Sequence, residues 1–129
     1  MKLIIGGAYQ GKLDYALQNY NINIKNVFES NEDKLLSDIN KDDIKVIHNF
    51  HLFIKRCLEK SIDPLEEIKN CIKVNPDMII ISDEVGYGIV PMTKFDREYR
   101  EMVGRICCYL AKEANEVIRV TCGIGRRIK

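Results

Sequence analysis

The stretch that most constrains this chain is its beginning, KLIIGGAYQGKLDYAL, residues 2–17. A short apolar run ends in glycines, as a buried strand does. Leu13, Ala16 and Leu17 then recur at helical spacing, so the local order is strand, glycine-rich loop, helix. Gly6, Gly11 and Lys12 satisfy the G-x-x-x-x-G-K spacing of a phosphate-binding loop. Such a loop works because successive backbone N–H groups converge on phosphate oxygens, while the following helix adds the positive end of its dipole. Gly6, Gly7, Ala8, Tyr9, Gln10, Gly11, Lys12 and Leu13 are therefore the expected nucleotide-binding residues, with Lys12 reaching the outer phosphates as a point charge. Leu13 stands where a Ser or Thr hydroxyl normally ligates magnesium. A plain glycine-rich turn between strand and helix is the competing reading.

The rest of the chain alternates the same two element types. Short strands are expected at Asn26–Glu29, Ile44–Ile47, Met78–Ser82 and Glu116–Thr121. The run MIIIS is apolar throughout, as in a parallel strand buried on both faces. Helical patterns fill Asn31–Ile39 and residues 50–60. A third starts at Asp63-Pro64, cap then first turn, and runs to about Val74. A long helix is expected from the Thr93 cap to about Ala114, with Phe95, Tyr99, Met102, Val103, Ile106 and Leu110 on one stripe. DEVGYGIVP, residues 83–91, reads as a loop, and GIGRRIK as a turn and short tail. This order predicts a three-layer α/β P-loop domain with a mostly parallel central sheet, one domain over residues 1–129. Ligands of such sheets sit at the carboxyl ends of strands, which the GGAYQGK loop, His48 and the DEVGYG loop all follow.

The acid that completes such a site should end a second strand. IKVIHNF ends in His48, whereas MIIISDE ends near Asp83 and Glu84, so the latter strand is preferred and Glu84 joins Lys12 as a catalytic candidate. A loop whose acids merely face water is the alternative. His48 and His51 form an H-x-x-H without an evident third ligand, so hydrogen-bonded or solvated histidines are expected rather than a metal pair.

Composition excludes several classes. The net charge of +1 offers no basic face for nucleic acid, and Arg126, Arg127 and Lys129 read as a solvated end. Apolar residues make up 46% of the chain, but no run approaches a membrane span. The start lacks the features of a signal peptide, so the cytoplasm is the expected compartment. Five scattered cysteines without a C-x-x-C read as buried free thiols.

Order and spacing together give the chain a specific resemblance. Asp83, Glu84, Val85, Gly86 and then Gly88, Ile89, Val90, Pro91 resemble the asparagine-glutamate-valine-glycine and glycine-isoleucine-valine-proline strings of the adenosylcobinamide kinase / adenosylcobinamide-phosphate guanylyltransferases. Arg100, Gly104, Arg105, Glu116, Val117, Gly123 and Lys129 continue the likeness, and Gly6, Gly7 and Ala8 match the family's opening glycine-glycine-alanine. The resemblance implies a RecA-like nucleotide-binding fold, often trimeric, and GTP or ATP as nucleotide. It implies phosphorylation of the aminopropanol arm of a corrinoid, then guanylyl transfer through a covalent histidine. Magnesium is implied too, with its usual hydroxyl ligand replaced by Leu13. His48 occupies the expected acidic strand end, Val27 to Asp43 is shorter than the family's segment and holds no histidine, and Cys107-Cys108 replace an asparagine-glutamine pair. Three functional readings follow: an active nucleotide-dependent enzyme, a degenerate homologue serving as a nucleotide-binding, regulatory or assembly subunit, or an enzyme that kept the fold and moved to another phosphorylated substrate. Tyr87, Ile89 and Val90 are a candidate association surface for a homo-oligomer.

Overall fold

A computed structural model describes residues 1–40, 42–86 and 93–129. The elements run β1 (Lys2–Gly6), α1 (Lys12–Asn19), β2 (Val27–Glu29), β3 (Val46–His48), α2 (Phe50–Glu59), α3 (Pro64–Val74), β4 (Ile79–Asp83), α4 (Lys94–Glu113), β5 (Glu116–Thr121) and β6 (Ile124–Arg127). Among the described residues the strands form one sheet in the order β2-β3-β4-β1-β5-β6. Every neighbouring pair is parallel except β5–β6.

Strand alternation sorts the core into two layers. Leu3, Ile47, Ile80 and Val117 face α2, α3 and α4, where Phe50, Phe53, Ile54, Ile68, Val103, Ile106 and Leu110 bury against them. Ile4, Val46, Ile79, Ile81, Ile118 and Val120 face the other way and close around Ala16 of α1. Helices on both faces of a mostly parallel sheet make the three-layer α/β arrangement of a P-loop fold. The side chains of β4 from Ile79 to Ser82 are all buried, as its unbroken apolar run requires. Two helix starts follow their capping chemistry. Asp63 Oδ1 accepts from the Leu65 N–H at 2.9 Å ahead of Pro64, and Thr93 Oγ1 accepts from the Asp96 N–H at 3.0 Å. On α4 the stripe is graded: Val103, Ile106 and Leu110 are buried, and Phe95, Tyr99 and Met102 half-buried.

Three expectations are corrected. Asn31–Ile39 is not a helix but a turn followed by a single 3₁₀ turn at Leu36–Asp38. Arg56 of α2 donates to the carbonyls of Ser30 and, at 2.7 Å, Lys34, drawing these carbonyls away from the i→i+4 pattern of a helix. A run this short cannot offset the nucleation cost of a helix, although Leu36 is still buried. GIGRRIK is not a tail, since Ile124–Arg127 pairs antiparallel with β5. Cys122 and Gly123 both have positive φ, 51° and 76°, the two-residue geometry that matches strand twist. The basic residues are exposed, as a solvated end requires, but ordered. Arg126 and Arg127 belong to β6, and Lys129 Nζ donates to the Ala111 and Lys112 carbonyls at the end of α4. Of the five free thiols only Cys57 and Cys71 are buried; Cys107 is half-buried and Cys108 and Cys122 are exposed. Tyr87, Ile89 and Val90 lie outside the described residues, as do Gly88 and Pro91. No helix among the described residues is long and apolar enough to cross a membrane.

Candidate functional site

The phosphate-type loop leaves β1 through Gly6, where a Cβ would run into the Val120 carbonyl of the adjacent strand. The Gly6 carbonyl accepts from the Glu84 N–H at 3.0 Å, tying the loop's base to the end of β4. Tyr9, fully exposed, and Gly11 both take left-handed backbone, φ 58° and 83°. Gly11 is also the cap of α1, and a Cβ there would sit 3.3 Å from Gly123 Cα. Gln10 fastens the loop to the β5–β6 turn twice: its carbonyl accepts from the Gly123 N–H at 2.8 Å and its Oε1 from the Cys122 N–H at 2.7 Å.

Lys12 is buried, its side chain 4% exposed. Its Nζ donates to the Gly7 carbonyl at 2.6 Å and pairs with Asp83 Oδ1 at 2.7 Å. His51 supports that carboxylate from α2. The Asp83 N–H donates to His51 Nδ1 at 3.2 Å, and His51 Nε2 lies 3.5 Å from Asp83 Oδ2. An Nδ1 that accepts from a backbone amide places the ring proton on Nε2, toward Asp83. Burial lowers the His51 pKa, against the opposing pull of Asp83, so the imidazole is held neutral. The Tyr99 hydroxyl donates to the His51 carbonyl at 3.0 Å, and burial pushes its own pKa well above the usual phenol value. One strand further out, His48 Nδ1 meets Glu29 Oε2 at 2.8 Å and Asn49 Nδ2 donates to Glu29 Oε1 at 3.0 Å.

These groups border one crevice of about 540 Å³ at the carboxyl ends of β1, β3 and β4. Ala8, Tyr9, Gln10, Gly11, Lys12 and Leu13 line it, together with His48, His51 and Asp83. Gly6 and Gly7 do not line it; their carbonyls are engaged by the Glu84 N–H and by Lys12 Nζ. Glu84 faces elsewhere: its Oε2 pairs with Arg119 at 3.1 Å, and Asp83 is the acid beside Lys12. Both histidines are hydrogen-bonded, the outcome expected of an H-x-x-H without an evident third ligand. Glu29 was not singled out in the sequence, although it ends the strand NVFE in a sheet whose strand ends form ligand crevices.

The arrangement can hold a polyanion: a backbone nest opens onto a buried ammonium at a helix start. It does not fit magnesium held by protein ligands. Leu13 has no lone pair to give, and no metal-binding cluster of three His, Cys, Asp or Glu occurs among the described residues.

Residues 24–128 match the profile of the family described as cobinamide kinase / cobinamide phosphate guanyltransferase. The chain belongs to that family. The bifunctional adenosylcobalamin biosynthesis protein CobU of Escherichia coli is 40% identical over 62 residues, 48% of this chain and 34% of that protein. Its counterpart in Salmonella typhimurium is 36% identical over 74 residues, 56% of this chain and 41% of that protein. The matches thus span well under half the length of either curated relative. The cobinamide kinase family match begins beyond the phosphate-type loop, whose assignment stands on its own spacing and geometry.

Proposed function

We propose that this chain binds GTP or ATP in the crevice beside Lys12 and transfers the terminal phosphoryl group to the aminopropanol hydroxyl of a cobinamide, with residues 1–129 acting as one nucleotide-binding domain. The observation that carries the reading is Lys12, buried between the glycine-rich nest and the ends of the central strands, with its ammonium at Asp83. Backbone N–H groups of Gly7 to Lys12 cradle the phosphates, and Lys12 exchanges the Asp83 carboxylate for phosphate oxygens. Phosphoryl transfer relies on positioning and charge stabilisation more than on covalent chemistry by the protein, and a walled nest supplies both. No step is assigned to magnesium, for want of a protein donor set. Guanylyl transfer stays outside the proposal, because Val27 to Asp43 contains no histidine to carry the group.

Leu13 favours a second reading, a nucleotide-binding homologue that regulates or assembles with other proteins. The proposal extends to a cytoplasmic homo-oligomer, a trimer by family likeness; sedimentation as a strict monomer contradicts that part. Calorimetric titration of GTP and ATP, with and without magnesium, followed by a transfer assay on adenosylcobinamide, tests the whole. Micromolar binding with a phosphorylated corrinoid supports the kinase. Binding without transfer selects the second reading, and no binding of either nucleotide removes both.

A further inference from the structure

Four carboxylate or imidazole groups line the crevice near the nest, and three are less suited to accept a proton from a substrate. Asp83 is held by Lys12 at 2.7 Å in the ligand-free site and still faces His51 Nε2 through its other oxygen, at 3.5 Å, once Lys12 turns to phosphate. His51 spends Nδ1 on the Asp83 amide and turns Nε2 toward the Asp83 carboxylate. Asp14, on the first turn of α1, is exposed and oriented by no hydrogen bond among the described residues. His48 differs from all three.

His48 ends β3, and its neighbour in the parallel register is Glu29, the end of β2. The Ser30 N–H donates to the His48 carbonyl at 3.1 Å, so the backbone fixes both strand ends. Above that ladder His48 Nδ1 lies 2.8 Å from Glu29 Oε2. The other carboxylate oxygen is taken by Asn49 Nδ2 at 3.0 Å, and Asn49 itself adopts left-handed backbone, φ 54°, at the start of α2. Both oxygens of Glu29 are thereby held, and its charge faces the imidazole. A carboxylate in that position fixes the tautomer with the proton on Nδ1 and leaves the lone pair on Nε2. The His48 side chain is 18% exposed and lines the same crevice as Lys12, and Nε2 has no partner among the described residues.

We infer that the Glu29–His48 pair is the general base for the acceptor hydroxyl of the proposed phosphoryl transfer, with His48 the catalytic residue and Glu29 its positioning residue. The inference rests on that reading. His48 Nε2 takes the hydroxyl proton as the acceptor oxygen forms its bond to the terminal phosphorus. The bond from that phosphorus to the bridging oxygen breaks, and the nucleoside diphosphate leaves with the electron pair. The imidazolium then gives its proton to water. Glu29 stabilises the imidazolium while it exists, and Asn49 keeps Glu29 in place.

The test uses the full chain with GTP or ATP and adenosylcobinamide. H48N is expected to lower kcat by about 10²–10⁴-fold, the usual worth of a positioned base, with nucleotide Kd by calorimetry held within about two-fold. Added imidazole should restore part of the rate in H48A. E29Q should lower kcat by at least about ten-fold and change the His48 tautomer. Unchanged kcat in H48N overturns the inference, and so does a fall in kcat matched by a fall in nucleotide affinity. A phosphoryl or guanylyl adduct on His48 by mass spectrometry makes it a nucleophile and overturns the base. Imidazole ¹⁵N NMR reports separately from turnover: Nδ1 protonated and Nε2 bare above neutral pH is expected, and a proton on Nε2 sinks the inference whatever the activity. Nucleotide binding by wild type without transfer to adenosylcobinamide ends the kinase reading and this one with it, whereas active wild type with an indifferent H48N ends this one alone.

Discussion

Lys12 without ligand is paired with Asp83, where family resemblance leads one to expect asparagine. Nucleotide binding in the crevice therefore competes with an internal ion pair. D83N removes the competitor and a negative charge beside the phosphates. It should tighten nucleotide binding in the absence of magnesium by about ten-fold while lowering the stability of the free protein by roughly 1–3 kcal/mol, because a buried ammonium is left with a poorer hydrogen-bond partner. Calorimetry and thermal unfolding read the two effects; weaker binding in D83N means that Asp83 assists the nucleotide instead. His51 gives a prediction in pH. Its folded pKa is lowered by burial below the ordinary 6.5, so the unfolded chain binds the proton more readily than the folded one. Its contribution to stability is complete above pH 6.5 and is lost as pH falls below that value toward the folded pKa. Unfolding midpoints should drop across that interval, and H51Q should flatten the slope; an equal slope in both proteins contradicts it. The choice between Asp83 and Glu84 lay beyond the sequence because both acids close the same run, MIIISDE. It turns on β4 extending to Asp83 and on Arg119 holding Glu84. Alternation along a strand decides which face an acid takes, and a shift of one residue exchanges the two.

At the scale of elements, two glycines differ in need: Gly6 adds a steric demand to its positive φ of 156°, whereas Gly123 has a conformational one alone. Gly6 must pass the backbone of β5, where an added Cβ meets the Val120 carbonyl, an atom that cannot move without breaking the ladder. G6A should destabilise the protein by on the order of 3 kcal/mol, as overpacking against rigid backbone does. Gly123 has open space around a built Cβ but φ of 76°. G123A should cost only the left-handed penalty, about 1 kcal/mol, or a fall in Tm of roughly 3–6 °C. Denaturant melts of the two variants check the ordering, and equal losses contradict the distinction. The long helix, the capped α3 and the buried β4 were legible because caps and periodicity are local signals. β6 was not. Its residues IGRR carry little strand pattern, and the reversal before it depends on Cys122 accepting left-handed backbone, a conformation for which that residue gives no local cue.

Across the whole molecule the sheet order brings distant segments to one edge. β4 lies between β1 and β3, so residues near 6–13, 48–51 and 83 meet although the chain separates them widely. Alternation of strands and helices foretold the parallel sheet and the end at which a crevice opens, but not which strand neighbours which. Nor did it foretell Glu29, whose part depends on β2 pairing with β3. The same order gives the site a mechanical partner in the β5–β6 hairpin. The amides of Cys122 and Gly123 both donate to Gln10, inside the phosphate-type loop. A ligand that orders Gly7–Lys12 must therefore also suppress opening at the hairpin, because exchange of those two amides requires their bonds to Gln10 to break. Hydrogen exchange with saturating nucleotide should slow at residues 7–12 and at 122–123 together, by a common factor set by the ligand concentration relative to Kd. Slowing in the loop alone, with the hairpin amides unchanged, breaks the proposed coupling between the Gln10 contacts and the nest.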